Sequence, residues 1–173
     1  RYLRFEVPER IGADGQVLRT ISQTDLQKLK KMLEEENVES IAVCFLHAYA
    51  FPQNEEIVGR FLRRELPEVP VSLSSEVLRE RGEYERSATT VVNAYVRPIM
   101  RGYIGSMHDG LENIGINSPL LMMQSSGGLT TDEDAGTRPV FVLESGPAAG
   151  VLAALHVAER IGIRNVITLD MGG

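Results

Sequence analysis

The sequence predicts an α/β fold, and three observations carry that reading. The run Ile41-Ala-Val-Cys-Phe-Leu46 is short, continuously apolar and rich in β-branched and aromatic side chains, the pattern of a strand covered on both faces in a parallel sheet. Residues 52–66 follow as a strongly marked helix, and residues 69–73 as a second short strand. Strand, helix and strand at this spacing make a βαβ unit with an expected right-handed crossover. Of 173 residues, 43% are hydrophobic and 24% charged, which supplies enough apolar material for a packed core.

The elements can be justified in chain order. Val7, Ile11, Val17 and Leu18 flank Asp14-Gly15, a pair that accepts positive φ and so predicts a hairpin. Residues 23–36 read as a helix with Leu26, Leu29, Met32 and Leu33 on one face, Thr24 and Gln27 as a capping box and Asn37 as the C′ residue. In the helix over 52–66, Pro52 suits the first position. Glu55 and Glu56 complement the positive end of the dipole, Arg60, Arg63 and Arg64 the negative end, and Pro67 stops it. Its apolar stripe is Ile57, Val58, Phe61, Leu62 and Leu66. Residues 82–114 carry Tyr84, Ala88, Val91, Val92, Tyr95, Ile99, Tyr103, Met107, Leu111 and Ile114 at intervals of three or four. They predict one long helix, or two hinged at Pro98, with that stripe as the buried face. The β-prone run Thr89-Thr-Val-Val92 dissents locally.

A strand is expected over 120–124, a loop over 125–128, and a short helix near 131–136 capped by Thr130 and Glu133. The apolar stretch 140–143 leads to Pro147, which opens a helix reaching Ile161, with Gly162 as its C′ residue. A last strand over 166–169 delivers Asp170. A seam is expected at residues 76–84, where the βαβ half gives way to a helical half. The chain begins without an initiator Met or signal-peptide pattern and stops in a glycine turn, so it reads as a fragment of a longer protein.

Several functions are disfavoured by composition. With 24 acidic and 18 basic residues the net charge is −6, and the chain lacks the cationic footprint of a nucleic-acid binder. No apolar run approaches the roughly 18 residues of a membrane span. One cysteine, Cys44, excludes a disulfide framework or multi-cysteine zinc site and fits a reducing, cytoplasmic setting as an inert core residue. No two of His47, His108 and His156 have ligand spacing. There is no G-x-S-x-G elbow, no Walker A loop and no G-x-G-x-x-G after a strand.

What remains is a set of glycine turns, each after an apolar stretch: Gln124-Ser125-Ser126-Gly127-Gly128, Glu144-Ser145-Gly146-Pro147-Ala-Ala-Gly150 and Asp170-Met171-Gly172-Gly173. Each reads either as a connecting turn or as a nest of backbone N–H groups for an anion. All three lysines (Lys28, Lys30, Lys31) lie on the first helix. Any phosphate near these turns must therefore be held by amides, hydroxyls and a metal. A strand-end Asp170 before two glycines suits Mg²⁺. Asn93 sits among apolar neighbours and reads either as a core hydrogen bond or as a ligand contact.

Seven blocks in order resemble the hydantoinase A/5-oxoprolinase family: Ile41-Ala-Val-Cys-Phe-Leu-His-Ala-Tyr-Ala50, Ser72-Leu-Ser-Ser-Glu-Val77, Glu83-Tyr-Glu-Arg86, Thr89-Thr-Val-Val-Asn-Ala-Tyr-Val96, Met123-Gln-Ser-Ser-Gly-Gly128, Ser145-Gly-Pro-Ala-Ala-Gly150 and Asp170-Met-Gly-Gly173. The resemblance implies a cytoplasmic protein several times longer, with the two-lobed ATPase fold of actin, sugar kinases and heat-shock chaperones. Residues 1–80 would close the N-terminal hydantoinase/oxoprolinase lobe, and residues 81–173 would begin the central lobe. It also implies ATP and a divalent metal such as Mg²⁺, a B-type partner subunit, and a small cyclic amide whose carbonyl oxygen is phosphorylated before water opens the ring. The alternatives it leaves are the ATP-binding subunit of an acetone or acetophenone carboxylase, or a non-catalytic scaffold. By position, Asp170, Gly172 and Gly173 match a phosphate-binding motif, with Asp170 toward the metal. Gln124, Ser125, Ser126, Gly127, Gly128, Ser145, Gly146 and Asn93 are expected to face the cleft. The sequence departs from the pattern at Ser126, where Asn is expected, and at Ala88, where a hydroxyl is expected. Glu83, Glu85 and Glu144 are acidic residues near these motifs.

Overall fold

The computed structural model describes residues 3–172 and shows two compact units, residues 1–98 and 99–173. The division falls at Pro98, later than the change of sequence pattern at 76–84. The reason is chemical: Arg86, Asn93 and Arg97, from the first half of the long helix, all hydrogen-bond into the βαβ unit.

The first unit opens with the hairpin β1 (Arg10–Ile11) and β2 (Val17–Arg19), antiparallel as the Asp14-Gly15 turn predicts. Gly12 N–H closes the turn on Gln16 O at 2.8 Å, and Gly15 takes φ 85°. Helix α1 (Gln23–Glu35) starts where the sequence places it, but its cap is Ser22 rather than Thr24. Ser22 Oγ accepts from Asp25 N–H at 3.1 Å and donates to the Asp25 carboxylate at 2.6 Å, which holds that carboxyl below its ordinary value. Asn37 is the C′ residue, at φ 49°, with its N–H on Glu34 O and Val38 N–H on Leu33 O.

β3 (Ile41–Val43) and β4 (Val71–Leu73) pair in parallel, residue 41 opposite 71 through 43 opposite 73. Helix α2 (Gln53–Glu65) crosses between them, with Pro52 as N-cap rather than first helical residue. The βαβ unit is therefore present, with strands shorter than the apolar runs. Leu26, Leu29 and Leu33 of α1 and Val58, Phe61 and Leu62 of α2 form one core with Ile41, Val43, Val71 and Leu73. Full burial of each large apolar side chain contributes roughly 1.5–3 kcal/mol. Ile57, placed on the stripe by spacing, stays exposed. The one-turn helix α3 (Ser74–Val77) follows β4 directly.

Helix α4 (Glu83–Asn113) runs unbroken through Pro98, so the one-helix alternative holds. The stripe expected to be buried is not. Tyr84, Val91, Val92, Tyr95, Ile99 and Tyr103 are all exposed, while Arg86, Thr90, Asn93 and Ala94 are enclosed. Periodicity located the helix and misassigned its inner face, because hydrogen bonds rather than apolar contacts dock it. Thr90 in the β-prone run donates to Arg86 O at 2.6 Å, which keeps its hydroxyl within the helix.

In the second unit, β5 (Leu121–Met123) and β6 (Leu129–Thr131) form an antiparallel hairpin around residues 124–128. β6 was not predicted; its three residues carry too short a pattern. α5 (Asp132–Thr137) is capped one position later than expected, by Thr131 Oγ1 accepting from Asp134 N–H at 3.2 Å. The apolar stretch 140–143 overlaps a 3-10 turn, Pro139–Val142. α6 (Ser145–Arg160) ends with Gly162 at φ 75°. Ile104, Ala135 and Val142 make a small core with Met100 and Met122. Along α6 Ala158 is buried, whereas Val151, Leu152 and Leu155 are exposed. The strand expected over 166–169 does not form. A strand needs a ladder partner, and among the described residues none pairs with this segment, where Ile167 is 98% exposed. Among the described residues no helix is long and apolar enough to cross a membrane.

Candidate functional site

Two places concentrate polar chemistry, one in each unit. The first lies at the carboxyl ends of β3 and β4, the edge where parallel α/β sheets bind ligands. Glu55, on the first turn of α2, is fully buried. Its carboxylate accepts from Phe45 N–H at 2.9 Å, Ser74 Oγ at 2.6 Å, Ser75 N–H at 2.9 Å and Ser75 Oγ at 2.7 Å. Arg86 of α4 is buried as well and donates from Nε to Ser74 Oγ at 3.1 Å, and from its terminal nitrogens to Glu80 O at 3.2 Å and Phe45 O at 2.8 Å. Ser74 thus links a buried anion and a buried cation, and Phe45 uses its N–H on one and its C=O on the other. About two and three turns further along α4, Asn93 Nδ2 donates to Ser72 Oγ at 3.1 Å and Arg97 donates to Val71 O at 2.7 Å. Among the described residues no buried side-chain nitrogen or oxygen lacks a partner, as a charged network in a low-dielectric interior requires.

Asn93, read from the sequence either as a core hydrogen bond or as a ligand contact, is enclosed and makes the hydrogen bond to Ser72. Glu55, Arg86, Ser72 and Ser74 were legible only as helix-dipole or motif residues. The signal that could have found them is an acidic residue beside the apolar stripe of α2, within reach of the strand ends. Cys44 lies in the same region. Burial pushes its thiol above the ordinary value, the Glu55 carboxylate adds to that, and Thr90, Ser87 and Arg86 pull against it. A protonated, largely enclosed thiol is inert, as expected.

The second place is the β5–β6 turn. Gln124 N–H donates to Gly128 O at 2.7 Å and Gly127 N–H to Gln124 O at 2.9 Å, with Gly127 at φ 90°. Ser125 ties this turn to the approach of α6: its N–H donates to Phe141 O at 2.7 Å and its hydroxyl accepts from Glu144 N–H at 3.1 Å. A Cβ on Gly127 would stand 2.9 Å from Leu152 Cδ1, so glycine also permits the close approach of α6. The turns 124–128 and 145–150, separate in sequence, are therefore neighbours. Glu144, the N-cap of α6, makes no side-chain capping bond of its own, and the N–H groups of Ser145 and Gly146 have no intrahelical acceptors. Ser126 Oγ donates to Gln124 Oε1 at 3.4 Å and is exposed.

The third turn is not brought to this place. Asp170 and Gly172 lie in an exposed, irregular segment, with no neighbour within 4 Å of a Cβ built on Gly172; Gly173 lies outside the described residues. Among the described residues no three His, Cys, Asp or Glu side chains gather where a metal could be held. These residues offer Mg²⁺ one carboxylate, Asp170, and do not complete a site for it. A pair that spacing missed is His108 Nε2 with Asp132 Oδ2, 2.5 Å apart across α4 and α5. That hydrogen bond holds the Asp132 carboxyl below its ordinary value.

Two family models match the chain: Hydantoinase/oxoprolinase over residues 86–173, just over half of it, and the Hydantoinase/oxoprolinase N-terminal region over residues 1–66. The chain belongs to the hydantoinase/oxoprolinase family. Among members of the hydantoinase/oxoprolinase family it is 36% identical over 173 residues to caprolactamase subunit alpha of Pseudomonas jessenii, covering 100% of this chain and 25% of that one. It is 33% identical to the acetophenone carboxylase gamma subunit of Aromatoleum aromaticum, covering 100% and 24%. With 5-oxoprolinase of Saccharomyces cerevisiae the identity is 34%, over 94% of this chain and 13% of that one. The crystal structure of the ATP-dependent caprolactamase from Pseudomonas jessenii superposes with a TM-score of 0.86 at 35% identity, over 96% of this chain and 24% of that chain. The α/β architecture and the family expected from the seven motif blocks are thus both found. The chain spans a quarter or less of the length of these relatives.

Proposed function

We propose that this chain is part of an ATP-dependent cyclic-amide hydrolase, acting on a hydantoin or a lactam such as 5-oxoproline. The observation that carries the reading is the likeness to the ATP-dependent caprolactamase along nearly the whole chain, in sequence and in fold. The chemistry suits such a ring. An amide carbonyl carbon is a poor electrophile, and phosphorylating its oxygen lets water add at that carbon. The C–N bond then breaks with a proton passing to the nitrogen, and a second water releases phosphate from the acyl phosphate to leave the ring-opened acid. In this reading Asp170, Gly172 and Gly173 belong to the phosphate turn, with Asp170 toward Mg²⁺. The turns 124–128 and 145–150, joined through Ser125, offer backbone N–H groups on the cleft side. Residues 1–80 complete an N-terminal lobe and residues 81–173 begin the central one. The protein works in the cytoplasm with a B-type subunit.

The test is phosphate release by the intact protein from ATP and Mg²⁺ with 5-oxoproline, hydantoin and ε-caprolactam. Ring-dependent release is expected with at least one, and its absence with all three refutes the reading. The similarity to the acetophenone carboxylase gamma subunit supports a second reading, an ATP-binding subunit of a ketone carboxylase. Release that requires a ketone together with bicarbonate would select it.

A further inference from the structure

Two non-glycine residues among those described have left-handed backbones, Asn37 at φ 49° and His47 at φ 61°. Asn37 explains itself. It is a helix C′ residue, and asparagine tolerates that conformation. His47 caps no helix. It sits in the loop between β3 and α2, at the carboxyl edge of the parallel strands. Its carbonyl accepts Ala50 N–H at 3.0 Å and Phe51 N–H at 2.9 Å. The backbone turns left-handed here, a conformation uncommon for any residue but glycine; histidine holds it at a cost, and such outliers persist only where the surrounding structure fixes them.

The loop is also fixed from below. The buried Arg86 donates to Phe45 O and lies over the Tyr49 ring at 5.7 Å, and the buried Glu55 accepts Phe45 N–H. Arg79 Nε donates to Tyr49 O at 2.9 Å. Of the loop's side chains, the His47 imidazole meets the Tyr49 ring edge-on, centroids 6.5 Å apart, and is only partly buried. A strained residue, presented by a loop that two buried charges immobilise, at the ligand-binding edge of a parallel sheet, is arranged for contact rather than for folding.

We infer that His47 is a substrate-contact residue whose imidazole hydrogen-bonds the amide group of the ring, with Tyr49 as the neighbouring aromatic wall. An imidazole supplies one donor and one acceptor when neutral, and an amide edge presents a carbonyl and an N–H. The inference rests on the cyclic-amide reading above and adds the residue that reads the ring.

The test uses His47→Gly and His47→Asn in the intact protein, because both replacements keep the left-handed turn. Thermal unfolding gives Tm. Calorimetry gives Kd for whichever of 5-oxoproline, hydantoin and ε-caprolactam supports phosphate release by the wild type. A Tm equal to or above that of the wild type, with Kd and KM raised at least tenfold, is expected for loss of a ring hydrogen bond. Unchanged Kd and KM overturn the proposal. So does a fall in Tm in both variants, whatever happens to binding, because the imidazole would then be a packing group. A wild type that releases phosphate with no ring overturns the cyclic-amide reading and this proposal together. An active wild type with indifferent variants overturns this proposal alone.

Discussion

Replacing Arg86 by Met removes the cation of the buried network while filling most of its volume. The guanidinium is 1% exposed and makes three hydrogen bonds, to Ser74 Oγ, Glu80 O and Phe45 O. The substitution leaves those acceptors without their donor and leaves Glu55, also fully buried, without the buried cation linked to it through Ser74. Removing one partner of a buried charge pair costs about 3–5 kcal/mol. That is a large share of the roughly 5–15 kcal/mol that holds a domain folded. With a urea dependence of about 1–3 kcal/mol per molar, the unfolding midpoint should fall by roughly 2 M. Urea titration followed by circular dichroism reads this directly. Arg86→Lys keeps the charge and loses the fork, so its midpoint should lie between those of the wild type and Arg86→Met. Glu55→Gln should cost less in the Arg86→Met background than alone, with a coupling of at least about 1 kcal/mol, since both residues act through Ser74. A midpoint for Arg86→Met equal to that of the wild type, or strict additivity with Glu55→Gln, would refute the account of α4 docking.

Three further outcomes follow from the geometry. Gly127→Ala places a Cβ on a φ of 90° and against Leu152, so the second unit should lose about 1–2 kcal/mol, seen as a lower Tm; an unchanged Tm would contradict the turn geometry. Asp132 has its carboxyl held low by His108. It contributes stability that is present above the ordinary carboxylate pKa and lost as pH falls through its depressed value, so Tm of Asp132→Asn should fall less steeply than that of the wild type below about pH 4, and parallel profiles would remove this role. The 173-residue chain alone, with Asp170 in an exposed segment, should bind Mg-ATP no better than millimolar, about −4 kcal/mol, and low-micromolar binding by calorimetry would show that a nucleotide site is already complete.

The βαβ unit was legible because its helix is written at both ends: Glu55 and Glu56 at the start, Arg63 and Arg64 in the last turn, Pro67 beyond it. The hairpin was legible from Asp14-Gly15 alone. The caps slipped by one or two residues, at Ser22 and Thr131, because several hydroxyl and acidic residues there fit the same spacing and only geometry selects between them. The inner face of α4 was misread for a deeper reason. Amphipathic reasoning assigns apolar residues inward, but Thr90 and Asn93 are enclosed by hydrogen bonds to backbone and serine, which leave no periodic trace. The segment 166–169 shows the same limit, since apolar content alone does not make a strand and no described residue pairs with it. Of the candidate site, the chain could show that residues 124–128 and 145–150 are special. It could not show that Ser125 joins them, because a serine in a turn looks the same whether or not a distant N–H reaches its hydroxyl.

Docking a helix by hydrogen bonds also fixes where along its axis it sits. Apolar contacts are tolerant: a helix can slide a little over leucines and still bury them. Arg86, Asn93 and Arg97 instead engage Ser74 at the start of α3, then Ser72 and Val71 of β4, running back along that segment as they climb α4. A slip of one turn, about 5.4 Å, would take all three from their acceptors at once. The inner side of α4 therefore has a single register. Its outer side, with Tyr84 and Tyr95 in the open, carries two marks whose positions are set to within a hydrogen bond.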